Sequence, residues 1–448
     1  MYKITVTTLL LFASLFALAQ NNVQLKLDKY LTAYAKTYDL NGTVLISQKN
    51  EIIYQKAFGS ANREWQIKNT LETRFPIASL SKQFTAAAIL KLSEQGKLST
   101  NDKLSKFFPD YPKGDSITIH MLLNHTSGIR EYSEKGDLFK FNTGNSEIPK
   151  DSIIRIFKKL TFNFSPGSFW GYSNTGYILL GYIIEQVSGQ SYGDYVNKTI
   201  FEPANMVNSG TFKQNLLIPK KAYGYSKSQD GVITQMVLPF NIGYSDGGLY
   251  STVNDLFKWS SSLNSHKIIS KESLSKMMTP NREEGGSGYG LFIDNFFGRK
   301  VAFHTGNIPG YSSIMIRYLN EEINIIILTN RECNLDFLPK GLASIMFGKE
   351  VLTPYYHKAI TLKNESLKKF TGKFEGPFPF EVIEKDGKLF MSFGNEIELL
   401  PESSTKLFIS DPEVDIQIEY VFNKNEIVKV YYIEGGVKTE TKFTKSNR

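Results

Sequence analysis

Cys333 is the only cysteine in a chain of 448 residues, so an intrachain disulfide is impossible and the fold is held by its core. Blocks of like charge are missing too: 52 lysines and arginines are scattered among 44 acids, for a net charge of +8. That excludes a nucleic-acid stripe and leaves a mild bias toward anionic cell-envelope material. No HExxH pattern occurs. His120 and His125 stand five apart without the glutamate of that motif, so neither a metal nor a cofactor is expected. Long apolar runs are lacking beyond the first residues. MYKITVTTLLLFASLFALAQ has one lysine, an apolar run shorter than the roughly 20 residues a spanning helix needs, and the small-x-small pattern Ala17-Leu18-Ala19. It reads as a signal peptide over residues 1–19. The protein is therefore expected to be exported, periplasmic or secreted, with no stable membrane span after cleavage.

What is present changes character along the chain. Residues 23–38 carry apolar side chains at helical spacing, and GTVLISQKNEIIYQKAFG reads as two strands around a Lys49-Asn50 turn. Between Ser79 and about Glu284, helices are predicted over 117–123, 152–160, 175–187, 252–263 and 271–278, separated by Gly, Pro and Ser clusters. Strands return over 290–294, 300–304, 312–318 and 323–329. Strands at both ends imply one sheet completed by the two halves of the chain, with a helical subdomain inserted in it. The cleft between two such lobes is where a site belongs. After a break at 354–365, FEVIEKDGKLFMSF is a hairpin turning at Asp386-Gly387, and strands alternate to Phe443. The expected organisation is a catalytic domain over 20–353 with its helical subdomain over about 80–284, a linker over 354–365, and a small β barrel or sandwich over 366–448. No cluster of Ser, His, Asp or Lys in that last domain points to chemistry.

Three short patterns do. SLSK puts Ser79 and Lys82 three apart where an apolar helix opens, so Oγ and Nζ can meet on one face; plain N-capping by Ser79 is the alternative. Ser-x-x-Lys recurs at Ser273, Ser366 and Ser403, so spacing alone does not choose. Tyr172-Ser173-Asn174 sits in a Gly-rich loop that opens another helix, where a turn and N-cap explain Asn174 equally well. FHTGNIPGYSS ends a strand at His304 and continues into Thr305-Gly306; His-Thr-Gly occurs once and Lys-Thr-Gly nowhere.

In this order the three patterns resemble the serine β-lactamase and penicillin-binding protein superfamily, in its class C-like branch. SLSK matches Ser-x-x-Lys, YSN matches Tyr-x-Asn and HTG matches Lys/His-x-Gly. ITIHMLLNHTSGI, PGSFWGYSNTGYILLGYIIEQVSG and DGGLYSTVNDLFKW resemble the family as well, and the resemblance covers roughly residues 23–330. It implies a two-lobed α/β (α+β) fold, an antiparallel sheet flanked by helices with an inserted all-helical subdomain. It also implies roles: Ser79 as nucleophile, Lys82 and Tyr172 sharing its proton, and Asn174 holding Lys82 and bonding the substrate. The N–H groups of Ser79 and of Asn307, after Gly306, would form an oxyanion hole. His304 departs from the lysine that most members pair with a substrate carboxylate, and in this the chain resembles esterase and D-aminopeptidase members. The implied function is an exported serine hydrolase acting on an ester or amide, of esterase or D-amino-acid peptidase type, with a small acyl or peptidoglycan-derived peptide as substrate. The alternatives are a β-lactamase or DD-carboxypeptidase, or a non-catalytic relative that binds peptidoglycan or a partner protein. On this reading Ser273 belongs to an ordinary amphipathic surface helix.

A rival nucleophile is Ser245. Gly243 to Gly247, GYSDG, fits the G-x-S-x-G elbow, and Asp294 and His304 follow in the required order. An elbow needs a strand before it and a helix directly after, whereas Pro239 precedes this stretch and antiparallel strands follow. It reads instead as a Gly-rich loop beside the cleft.

Overall fold

The computed structural model describes residues 21–132, 148–212, 217–228, 231–236, 243–375, 379–411, 413–424 and 426–445. The expected signal peptide lies outside them. The described residues form two compact units, one within 41–332 and one joining those from 333 to 445 with those from 21 to 40.

In the first unit, β1 (Gly42–Gln48) and β2 (Glu51–Phe58) form a hairpin. Its turn residues Lys49 and Asn50 have φ of 49° and 61°, the left-handed pair that a two-residue type I′ turn requires. Five later strands complete the sheet: β3 (Gly286–Ser287), β4 (Phe292–Phe296), β5 (Arg299–Ile308), β6 (Tyr311–Tyr318) and β7 (Ile323–Thr329). The order is β3-β4-β5-β6-β7-β1-β2, antiparallel throughout. β7 pairs with β1 from Gly42↔Thr329 to Gln48↔Ile323, so early and late parts of the chain do close one sheet. Val44, Leu45 and Ile46 and all of 325–328 are fully buried. Burial on both faces explains why these strands read as unbroken apolar runs and not as alternation.

Between β2 and β3 lie α1 (Ser81–Glu94) and α2 (Asn174–Ser188), with shorter helices at Ile119–Leu123, Lys150–Lys158, Val253–Asn264 and Lys271–Met277. α1 is buried from Ser81 to Leu92 except at Lys91. Phe84 on it meets Trp259 at 4.7 Å and Phe201 at 5.4 Å between ring centroids. A helix covered on all sides has no polar face to display, as its run of Ala, Ile and Leu shows. The segment expected to be all-helical also contains short strands, Gly210–Thr211, Gly224–Lys227, Ile233–Met236 and Leu249–Ser251. Strands this short carry no readable alternation.

The second unit holds the helix over 21–38, the helix Leu338–Met346 and a closed eight-stranded barrel. Its strands are β8 (Gly372–Glu375), β9 (Phe380–Lys385), β10 (Lys388–Ser392), β11 (Glu396–Pro401), β12 (Lys406–Ile409), β13 (Ile416–Asn423), β14 (Glu426–Glu434) and β15 (Val437–Lys445). β15 returns to β8 through pairs from Gly372↔Lys445 to Glu375↔Lys442, which leaves no free strand edge. Phe370, Val382, Leu407 and Ile418 are among the residues packed in its core. Tyr30, on the helix over 21–38, donates to the Gly435 carbonyl at 2.9 Å. Ahead of the barrel, Tyr355 donates to Glu402 at 2.7 Å and His357 stacks on Phe408 at 4.8 Å. No helix among the described residues is long and apolar enough to cross a membrane.

Candidate active site

Ser79 lies on a single 3-10 turn, Ala78–Leu80, immediately before α1. Ala78 has φ 47°, a conformation that costs a non-glycine residue about 1–3 kcal/mol and persists only where the surroundings over-determine it. The N-cap alternative for Ser79 does not hold: α1 starts at Ser81, its N-cap is Leu80, and no side chain caps it. Ser79 Oγ instead accepts from Lys82 Nζ at 3.2 Å.

Lys82 is fully buried, which a charge tolerates only where acceptors replace water. Nζ donates to Asn174 Oδ1 and to the Asp246 carbonyl, both at 2.6 Å. Both partners can only accept, so they fix two directions of the tetrahedral nitrogen and leave the third for Ser79. Asn174 is free for this because Ser173, not Asn174, caps α2, its Oγ accepting the Gly176 N–H at 3.2 Å. Glu131 orients Asn174 by accepting its backbone N–H at 2.5 Å and its Nδ2 at 3.2 Å, which turns Oδ1 toward the lysine.

Asp246 comes from the GYSDG loop. Ser245 there is fully buried and donates to the Tyr177 carbonyl at 2.8 Å, so it is a packing residue and not a nucleophile. Gly181 on α2 admits that loop; a Cβ would stand 2.0 Å from Ser245 Oγ.

Tyr172 brings its ring centroid to 5.0 Å from Lys82 Nζ. It stacks on His125 at 4.6 Å and on Phe292 at 6.4 Å, and lies 6.2 Å from the ring of His304. His304 is buried, with Nδ1 2.5 Å from the Thr305 carbonyl. A carbonyl can only accept, so Nδ1 carries the proton of the neutral ring. Nε2 is left as a buried acceptor with no partner among the described residues. Burial first and the Lys82 charge second pull the His304 pKa down to about 3, so the ring is neutral at physiological pH.

Gly306 contributes space. A Cβ would come within 2.5 Å of the Ile77 carbonyl oxygen and 3.0 Å of Ser79 N, so glycine is what lets β5 lie against the turn that carries Ser79. Ser313 ties the same place together by donating to the Ile77 carbonyl at 2.9 Å. Asn307, next along β5, is exposed and pairs with Ser312.

The fold thus assembles Ser79, Lys82, Tyr172, Asn174, His304 and Gly306 from three separate stretches of sequence. The second SLSK is elsewhere: Ser273 N–H is held by the capping Ser270 Oγ at 3.1 Å, and Lys276 pairs with Glu272 at 2.9 Å. His120 is engaged with Tyr289 at 2.5 Å, apart from the stack that holds His125. Among the described residues no group of three or more His, Cys, Asp or Glu could hold a metal. Reasoning from sequence missed Glu131, Asp246 and His125. Glu131 and His125 lie in or just after the HTSGI phrase, yet only the folded chain brings them to the YSN loop.

A family model described as Beta-lactamase matches residues 27–343. Penicillin-binding protein 4* of Bacillus subtilis is 29% identical over 95% of this chain and 100% of its own length. Among solved structures, a penicillin binding protein from Bacillus halodurans is 32% identical, with TM-score 0.63 over 71% of this chain and 98% of that one. The octameric penicillin-binding protein homologue from Pyrococcus abyssi is 28% identical, with TM-score 0.66 over 93% and 99% of the two chains.

Proposed function

The chain belongs to the beta-lactamase family of serine hydrolases, and from that premise we propose that it cleaves an ester or amide through an acyl-enzyme on Ser79, acting outside the cytoplasm. The observation that carries this reading is the Lys82 ammonium site. Two fixed acceptors at 2.6 Å leave the remaining direction of Nζ on Ser79 Oγ at 3.2 Å. As an ammonium, Lys82 donates to the serine oxygen and stabilises an alkoxide; as an amine, the same direction is a lone pair aimed at the serine proton. Tyr172, whose ring lies beside Lys82 Nζ, is the group we assign to carry the proton on to the leaving group.

Oγ adds to the carbonyl carbon, and the carbonyl electrons move to an oxygen lodged between the N–H groups of Ser79 and Asn307, each such donor contributing about 3–4 kcal/mol. Collapse expels the alcohol or amine with the proton taken from Ser79. Water then attacks the ester by the reverse sequence and frees the acid. Closeness of Gly306 to Ser79 N supports that placement of the β5 edge.

His304 narrows the substrate. A neutral imidazole offers no cation to a substrate carboxylate, and its one unfilled group, the buried Nε2, is an acceptor suited to an N–H or an ammonium. That favours esters and amides of amino-acyl type, the D-amino-acid peptidase reading included, over β-lactams and peptides with a C-terminal carboxylate. Mass spectra of the protein after exposure to an ester, a D-amino amide, a D-Ala-D-Ala peptide and a β-lactam test this. An acyl adduct on Ser79 is expected with the first two. Ser79→Ala should lose the adduct and several orders of magnitude in turnover, while its circular dichroism is unchanged. Activity above about one per cent in that variant refutes the nucleophile.

A further inference from the structure

His125 takes no part in the proton path above, yet it grips the tyrosine loop through three separate groups. Its Nδ1 accepts the N–H of Ser173 at 3.1 Å, and its carbonyl accepts the N–H of Gly171 at 3.0 Å. Its ring stacks on Tyr172 at 4.6 Å with the planes 29° apart. The same ring lies 5.1 Å from Tyr177 and meets Trp170 edge-on at 6.5 Å. Every residue from 170 to 173 therefore touches His125.

The backbone of His125 has φ 63°, a left-handed conformation that few side chains other than Asn, Asp and His adopt readily. Because Nδ1 accepts, the proton of the neutral ring is on Nε2. Burial, then the charge of Lys82 and the ring of His304, hold the pKa well below the usual histidine range. The ring thus stays neutral and adds no second cation beside Lys82. Phenylalanine would supply the stack without the acceptor, and asparagine the acceptor without the stack; histidine supplies both.

We propose that His125 is the positioning residue for Tyr172, fixing the plane and depth of the phenol against Lys82 and Ser79 by one ring face and two backbone hydrogen bonds. The proposal rests on the reading of Tyr172 as a proton carrier. A residue that acts only through Tyr172 has no further effect once the hydroxyl is gone, whereas one that merely props up the fold has the same effect either way.

The test compares His125→Phe and His125→Asn, each alone and combined with Tyr172→Phe. Acylation of Ser79 by an activated aryl ester is followed by intact mass, slow reactions included, and folding is checked by circular dichroism. Each single substitution at His125 should slow acylation at least tenfold with KM within threefold. In the Tyr172→Phe background the same substitution should change the rate less than threefold. A loss under tenfold, a loss seen in KM alone, or losses of equal size in both backgrounds overturns the proposal. If His125→Phe does not fold, His125→Asn, which suits a positive φ, carries the comparison; failure of both to fold overturns it in favour of a structural role. A wild-type rate in Tyr172→Phe with His125 intact refutes the reading of Tyr172 itself, a result separable because nothing at His125 has changed.

Discussion

Position 304 offers the sharpest test of what this cleft recognises. His304→Lys replaces a neutral acceptor by a group that can carry charge, at a site where the native ring is held neutral by burial and by Lys82. An ammonium about 4 Å from a carboxylate gains on the order of 1 kcal/mol in bulk water and about 4 kcal/mol at the effective dielectric of a protein surface. Converted at about 1.4 kcal/mol per tenfold, that range is about fivefold to several-hundredfold. The expected outcome is a rise of that size in the ratio of kcat/KM for a carboxylated β-lactam to kcat/KM for a neutral ester. The same burial and the same Lys82 charge act against a second ammonium, so the gain should be larger in mildly acid than in alkaline solution. Steady-state kinetics on both substrates across neutral pH measure it. An unchanged ratio at every pH would refute the claim that residue 304 faces the substrate's carboxylate position. An equal collapse on both substrates would instead assign the Nε2 lone pair to proton transfer.

Two further outcomes follow from the geometry. Gly306→Ala drives a methyl into the Ile77 carbonyl and against Ser79 N, so β5 or the turn must move; a stability loss of about 1–3 kcal/mol by urea unfolding and a fall in acylation of at least about a hundredfold are expected, and a variant that labels at the native rate contradicts the packing argument. His304 binds its proton near pH 6.5 when unfolded and near 3 when folded, so its contribution to stability is complete above about 6.5 and is lost as pH falls toward 3. At pH 4.5 the loss is about 3 kcal/mol, with His125 adding in the same direction. Urea unfolding at pH 7 and pH 4.5 should show it, and His304→Gln should remove the His304 share of about 3 kcal/mol while leaving that of His125; an undiminished pH dependence in that variant would mean His304 is not a cause.

Local chemistry carried much of this molecule. The Lys49-Asn50 turn, the apolar run at 325–328 and the Asp386-Gly387 hairpin are set by backbone preference and by burial of neighbouring side chains, and each is readable where it stands. The order SLSK, YSN, HTG marked Ser79, Lys82, Tyr172, Asn174 and His304 by type and sequence. What that order did not contain was the environment of each group. Asp246 reaches Lys82 across 164 positions and Glu131 reaches Asn174 across 43, through atoms every residue possesses or through a carboxylate like any other. The neutrality of His304 depends on its burial and on the distance to a lysine far along the chain, neither of which a single sequence states. A residue's kind is written in its side chain, but a proton's position and a nucleophile's aim depend on fields and hydrogen bonds summed over space, and only the folded chain fixes those.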